Sequence, residues 1–193
     1  MKNSELSFFY FIYMAFNFFF TRIFFRKHKI VRLPIFIRGG KRIFWGGGIS
    51  LGRSCRIETF GSGEIHVSDG VQLNDHVHIA AYSSIFIEKN VLIASRVFIS
   101  DLNHGCYDGS DYASSPEIPP AERKLFSRNV TICENVWIGE GAAILAGVTI
   151  GKGSIIGTNA VVTKDIPSNS IAVGIPAKVI KRFDSESNKW ISI

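Results

Sequence analysis

Ile132-Cys-Glu-Asn-Val136-Trp, Ile138-Gly-Glu-Gly-Ala142-Ala, Ile144-Leu-Ala-Gly-Val148-Thr, Ile150-Gly-Lys-Gly-Ser154-Ile and Ile156-Gly-Thr-Asn-Ala160-Val, followed by Val162, place an aliphatic residue at every sixth position. A small or β-branched residue follows four positions after each of the first five. Six residues are too few for a helix, and two inward residues separated by one outward residue is the alternation of a strand. Gly and Asn at the remaining positions supply a corner. Three such sides close a coil of about 18 residues, and stacked coils bury ladders of Ile and Val along a common axis.

The pattern runs upstream through Ile49/Leu51, Cys55/Ile57, Ile65/Val67, Val71/Leu73, Val77/Ile79, Ile85/Ile87, Val91/Ile93 and Val97/Ile99. Three steps are longer than six: Ile57 to Val67 is ten positions, Ile79 to Ile87 eight, and Ile99 to Ile132 thirty-three. With the sides labelled A, B and C in turn, all three insertions follow side B. Extra chain therefore collects on one edge of the prism, where variable loops held by a rigid scaffold build sites. The longest carries Asp101-Leu-Asn-His-Gly105 at its start and the Pro-rich Ser114–Pro120 within it.

Composition supports two regions. The 193 residues carry a net +6 with 16 Phe. Residues 1–42 hold nine Lys and Arg against Glu5 alone, a net +8, and nine of the Phe fall within the first 25 positions. The remainder has 13 bases against 15 acids, a net −2. A pI of 9.3 therefore reflects a basic, aromatic leader and gives no support to nucleic-acid binding across the body. Leu6 to Phe20 is uncharged, but 15 helical residues reach only ~22 Å, short of a ~30 Å hydrocarbon core. No small-x-small cleavage site precedes Arg22, so a cleaved signal peptide fits poorly. Two readings of the leader stand: a helix lying in the plane of a membrane through residues 6–32, and a cap on the following coil. Three cysteines without CxxC spacing argue against a disulfide or zinc scaffold and for a reducing compartment.

Ile-Gly-x-x-Ala/Val/Ser-x repeats, with Asn135-Val-Trp-Ile-Gly139, Val162-Thr-Lys-Asp-Ile-Pro167 and Gly174-Ile-Pro-Ala-Lys178, resemble those of the hexapeptide-repeat acyltransferases. The resemblance is nearest to the lipopolysaccharide O-antigen and capsule O-acetyltransferases, and extends to the maltose/galactoside acetyltransferase branch. It implies an all-β fold, a left-handed parallel β-helix, with a long inserted loop and a Phe-rich helical leader. The expected division is a leader over 1–42, a β-helix over 43–166 with its insertion at 100–129, and a C-terminal cap over 167–193.

The same resemblance makes His104 a general base toward a sugar hydroxyl, a task that an imidazole suits. Asp101 either orients that imidazole or shapes the turn, and Glu122 is a second candidate orienter. His78, outward between Val77 and Ile79, is expected at the acceptor, with Asn74 and Asp75 as further candidates. Ala80 stands where the maltose branch has an asparagine, so acceptor geometry does not carry over. The donor is expected to be acetyl-CoA. Trp137, outward on its coil, either packs on the cofactor arm or at an interface, or is plain surface. Gly139 and Glu140 are expected beside the thioester, with a backbone N–H available to an oxyanion. Thr158, Thr163, Lys164 and Lys178 match positions lining the pantetheine and the phosphates. Single lysines are also ordinary solvated surface. No metal is expected: His76 and His78 do not match the spacing used by the β-helical carbonic anhydrases.

Together these readings imply a homotrimeric O-acetyltransferase acting on a sugar of a surface polysaccharide precursor, in the cytoplasm and peripheral to the inner face of its membrane. Two alternatives stay open: N-acylation of a nucleotide-linked amino sugar, and a silent β-helix used for assembly.

Overall fold

The computed structural model describes residues 8–107, 109 and 113–193. The first residues of the leader, 1–7, and positions 108 and 110–112 of the long insertion lie outside it. The repeat folds as a three-sided parallel solenoid. Sheet A runs through Ile30–Val31, Ser50–Leu51, Gln72–Leu73, Leu92–Ile93, Trp137–Ile138, Ile155–Ile156 and Ser170–Val173. Sheet B runs through Ile35–Arg38, Cys55–Thr59, His78–Ala81, Phe98–Ser100, Ala143–Ile144 and Val161–Val162. Sheet C runs through Ile43–Trp45, Glu64–Val67, Ser84–Ile87, Val130–Ile132 and Thr149–Ile150. Among the described residues this makes six coils and the first side of a seventh.

Register explains the period. Ile57, Ile79, Ile99, Ile144 and Val162 pair in one column, as do Leu51, Leu73, Ile93, Ile138 and Ile156 in another. Every one of these side chains is buried in the central stack. Each coil thus places its aliphatic groups directly on those of the next, and the backbone between them is hydrogen-bonded coil to coil. Many of the tightest corners need left-handed backbone; Asn135 and Asn159 take it at φ 58°, and so does Arg96 at φ 59°.

The solenoid begins earlier than the expected boundary at 43. Ile30–Val31 pairs with Ser50–Leu51, Ile35–Arg38 with Cys55–Thr59, and Ile43–Trp45 with Glu64–Val67, so residues 30–45 are a full first coil. Its periodicity is hidden because aromatic residues occupy outward positions. Val31 and Ile43 are buried, while Phe36, Ile37 and Phe44 stay exposed.

The helix Phe8–Phe24 closes this end, and it does so with its polar residues. Asn17 and Thr21 are fully buried. Thr21 Oγ1 accepts from the Val31 N–H at 2.8 Å, Asn17 Oδ1 accepts from the Leu33 N–H at 2.7 Å, and Tyr13 O–H donates to the Leu33 carbonyl at 2.7 Å. Those edge groups would otherwise await a strand that does not exist. Phe20 and Phe25 pack onto the stack, whereas Phe8, Phe9, Phe11, Phe16, Phe19 and Phe24 face outward. The helix therefore caps the coil and also presents an apolar outer face. No helix among the described residues is long and apolar enough to cross a membrane. At the far end, the amide of Ala177 donates to Val161 and the amide of Val161 to Gly174, and an antiparallel hairpin of Lys178–Asp184 and Lys189–Ser192 extends sheet A.

His28 sits in the joint between helix and first coil, edge-on to Phe25 and Trp45, with neither ring nitrogen hydrogen-bonded. Burial holds its pKa below the ordinary histidine value. Unfolding then takes up a proton between that lowered pKa and about 6.5, so stability falls as pH drops through this window. His28→Leu is expected to flatten this part of the pH–stability curve, measured by urea unfolding between pH 7.5 and 5. Asn17→Ala, which strands the buried Leu33 amide, is expected to cost about 1–3 kcal/mol in the same assay.

Candidate active site

The long insertion leaves sheet B after Ser100 and returns to sheet C at Val130. Leu102–His104 forms a short antiparallel ribbon with Leu125–Ser127, in which His104 lies opposite Leu125. Tyr107 O–H donates to the His104 carbonyl and accepts from Arg123 Nη1 at 2.8 Å, which ties the chain beyond the histidine to the returning limb. Gly105 has φ +115° and an added Cβ would lie 2.6 Å from the Tyr107 hydroxyl, so the bend after His104 requires glycine. The imidazole is exposed and has no hydrogen-bond partner among the described residues.

Asp101 does not touch it. Its carboxylate is fully buried beneath the corner, accepting from the Tyr82 N–H through Oδ1 and from the Ser83 N–H through Oδ2, both at 2.8 Å. Burial raises its pKa above the usual aspartate range in spite of those bonds. Of its two expected roles, turn-shaping is the one its contacts serve: it locks the shorter insertion of the preceding coil against the root of the long one. Glu122 ends the short 3₁₀ turn Pro120–Glu122 and does not line the His104 cleft.

That cleft has a volume of about 380 Å³ and runs across the outer face of sheet B. His104, Leu102 and Leu125 form one wall; Arg56, Glu58, Phe60, His78, Ala80, Phe98 and Ser100 form the floor and the other. The floor is two columns of the sheet: Arg56 pairs with His78 and His78 with Phe98, while Glu58 pairs with Ala80 and Ala80 with Ser100. His78 is thus where the sequence placed it, on the same face as His104. Asn74 is not: it lies on the corner between sheets A and B, outside the cleft, and Asp75 beside it is taken by Arg32 at 2.8 Å and Arg53 at 3.0 Å. Glu58 and Arg56 were not identified from sequence. The signal that finds them is register, since laying the B strands side by side puts both in columns with His78 and Ala80.

The family described as bacterial transferase hexapeptide (six repeats) matches residues 129–164. The Escherichia coli (strain K12) protein named as a lipopolysaccharide biosynthesis O-acetyl transferase, WbbJ, is 45% identical over 170 residues, covering 88% of this chain and 87% of its own length. The chain belongs to the hexapeptide-repeat acyltransferases. A second member, an Escherichia coli dTDP-4-amino-4,6-dideoxy-D-glucose acyltransferase, is 36% identical over 72% of this chain and 75% of its own. The crystal structure of a maltose O-acetyltransferase from Clostridium difficile 630 superposes with a TM-score of 0.63 at 31% identity, covering 76% of this chain and 73% of that one.

Within this acyltransferase, the residues expected to meet the cofactor fall on more than one edge of the prism. Trp137 is half exposed on sheet A, in register with Leu92 and Ile155. Gly139, Glu140 and Thr158 follow on the corner between sheets A and B, Thr163 and Lys164 lie on the corner after sheet B, and Lys178 opens the C-terminal hairpin. Gly139 cannot serve an oxyanion through its amide, which donates to the Ile156 carbonyl at 2.8 Å; a Cβ there would lie 2.7 Å from the Thr158 amide, so its glycine is needed for coil stacking. The Glu140 amide has no partner among the described residues, and its carboxylate pairs with Arg96.

Asp101→Ala removes two buried acceptors and is expected to cost about 2–6 kcal/mol in urea unfolding, since each stranded amide is worth about 1–3 kcal/mol. Activity should fall in step with that loss of structure. Turnover that collapses with no change in stability would instead show that Asp101 acts on His104 directly.

Proposed function

We propose that this acyltransferase moves the acetyl group of acetyl-CoA to a hydroxyl of a sugar in a surface-polysaccharide precursor. The observation that carries the reading is His104, an imidazole without a hydrogen-bond partner among the described residues, on the wall of a cleft with aromatic and polar lining at the edge where the solenoid admits its insertions. The 45% identity to the named O-acetyl transferase supports O- over N-transfer. The hydroxyl oxygen attacks the thioester carbon while its proton passes to His104. The tetrahedral oxyanion collapses, the C–S bond breaks, and the departing thiolate takes the proton back from the imidazolium. No covalent enzyme intermediate is needed. The cofactor-side residues lie on two different edges of the prism, so a neighbouring copy in a homotrimer would bring the Glu140 amide of one subunit to the His104 edge of the next. That amide is the available donor to the oxyanion.

The apolar outer face of the N-terminal helix, together with Arg22, Arg26, Lys27 and Lys29, supports a peripheral position of the enzyme on an anionic membrane, at its inner face. N-acylation remains the competing reading, supported by the relative that acts on a dTDP-amino sugar.

His104→Ala is expected to lower coenzyme A release at least 100-fold with the melting temperature unchanged. Full turnover in that variant would refute the base assignment. Acetyl transfer to a panel of free, nucleotide-linked and lipid-linked sugars, with the product tested for loss of acetate in mild alkali, separates ester from amide. Because Asn17 and Thr21 are structural, membrane contact is best tested by replacing Phe9, Phe16 and Phe19 together with Ser. This should weaken sedimentation with phosphatidylglycerol vesicles at least tenfold and leave turnover on a soluble acceptor intact.

A further inference from the structure

Beneath His104, the floor of the cleft holds more hydrogen-bonding capacity than the protein uses. Glu58 is a buried carboxylate whose Oε2 accepts from Arg56 Nε at 2.5 Å and from His78 Nε2 at 3.2 Å. A carboxylate offers about four acceptor positions, and Oε1 takes no hydrogen bond among the described residues. Nor is that oxygen sealed in: among the described residues, the only fully enclosed side-chain polar atoms without a partner are the two nitrogens of His28. His78 is in the same position. Its carboxylate partner assigns the ring proton to Nε2, which leaves Nδ1 as an open, unpartnered acceptor in the neutral ring.

The next coil supplies no competing polar group, because the residue paired with Glu58 is Ala80. Around these atoms lie the rings of Phe98, whose centroid is 5.3 Å from that of His78, and of Phe60, over which the Arg38 guanidinium sits at 4.8 Å. The cleft floor therefore offers two acceptor atoms beside aromatic rings, on the two strands that precede Phe98–Ser100, from which the loop carrying His104 departs. A sugar ring presents the complement: a row of neighbouring O–H donors around an apolar C–H face.

We propose that Glu58 and His78 form the subsite that receives the hydroxyls flanking the acetylated one on the acceptor sugar. Arg56 acts as a positioning residue that holds Glu58. This deepens the O-acetyltransferase reading and rests on it. A sugar carries several hydroxyls of similar reactivity, so delivering one of them to His104 requires the ring to be held at a second point. The Glu58–His78 pair is that point, and it makes the acceptor one with free hydroxyls beside the reacting one.

The test uses the full-length enzyme and the acceptor on which the wild type turns over in the sugar panel, together with its monodeoxy analogues at the flanking positions. Glu58→Gln keeps the shape of the side chain and His78→Asn keeps a polar group; both are expected to raise the acceptor KM about tenfold, the worth of one net hydrogen bond. The KM for acetyl-CoA should stay within twofold. Removing the flanking hydroxyl should cost the wild type about tenfold and the Glu58→Gln enzyme little, because the lost partner is shared. Wild-type acceptor KM in both variants, or penalties that simply add, would overturn the subsite while leaving the His104 reading in place. A melting temperature lowered in step with the KM change, and restored with it by Glu58→Asp, would reduce the pair to a structural ion pair. A panel in which nothing is acetylated would remove the O-acetyltransferase reading itself.

Discussion

Each coil of this protein can bury its aliphatic side chains only on another coil. A single turn of the prism has no core of its own: its inward Ile and Val residues cover one another only through the parallel hydrogen bonds that hold successive strands about 4.8 Å apart. Everything else follows from that dependence. The interior is indifferent to which coil is which, so it sets register but specifies no function. Two ends are left with uncovered side chains and unpaired backbone, and each needs its own solution.

The two solutions differ in kind. At the C-terminal end the chain turns back and adds antiparallel strands to sheet A, which moves the open edge outward. At the N-terminal end a helix substitutes side-chain groups for a missing strand, with Thr21, Asn17 and Tyr13 standing in for backbone donors and acceptors. That choice inverts the usual amphipathic arrangement, because the polar stripe is buried and the Phe-rich stripe faces out. The apolar leader serves as a cap through one face and leaves the other available.

Sequence periodicity made the three sides, their order and the edge that takes the insertions readable, and the family resemblance singled out His104 on that edge. What escaped it has physical reasons. The first coil carries Phe36 and Phe44 where polar residues would mark the outward positions, and the alternation disappears. Glu58 and Arg56 belong to no motif; their meaning lies in which residues sit beside them on the neighbouring strand, a relation running perpendicular to the chain. Asn74 lies only four residues before His78, yet four residues are enough to turn a corner of the prism. Gly139 was expected beside the thioester, but its amide belongs to the coil stack.

Register also imposes a metric on the chemistry. His78 and Arg56 are neighbours on successive strands, as are Glu58 and Ala80, so the groups that meet a ligand occupy the nodes of a grid: one strand spacing in one direction and two residues in the other. A family built on such a grid cannot shift an anchoring atom gradually. It can only vacate one node and occupy the next, as the methyl of Ala80 and the carboxylate of Glu58 do here. Changes of acceptor preference in such a protein are therefore discrete, and the inserted loop that carries His104, free of the grid, is where continuous adjustment has to occur.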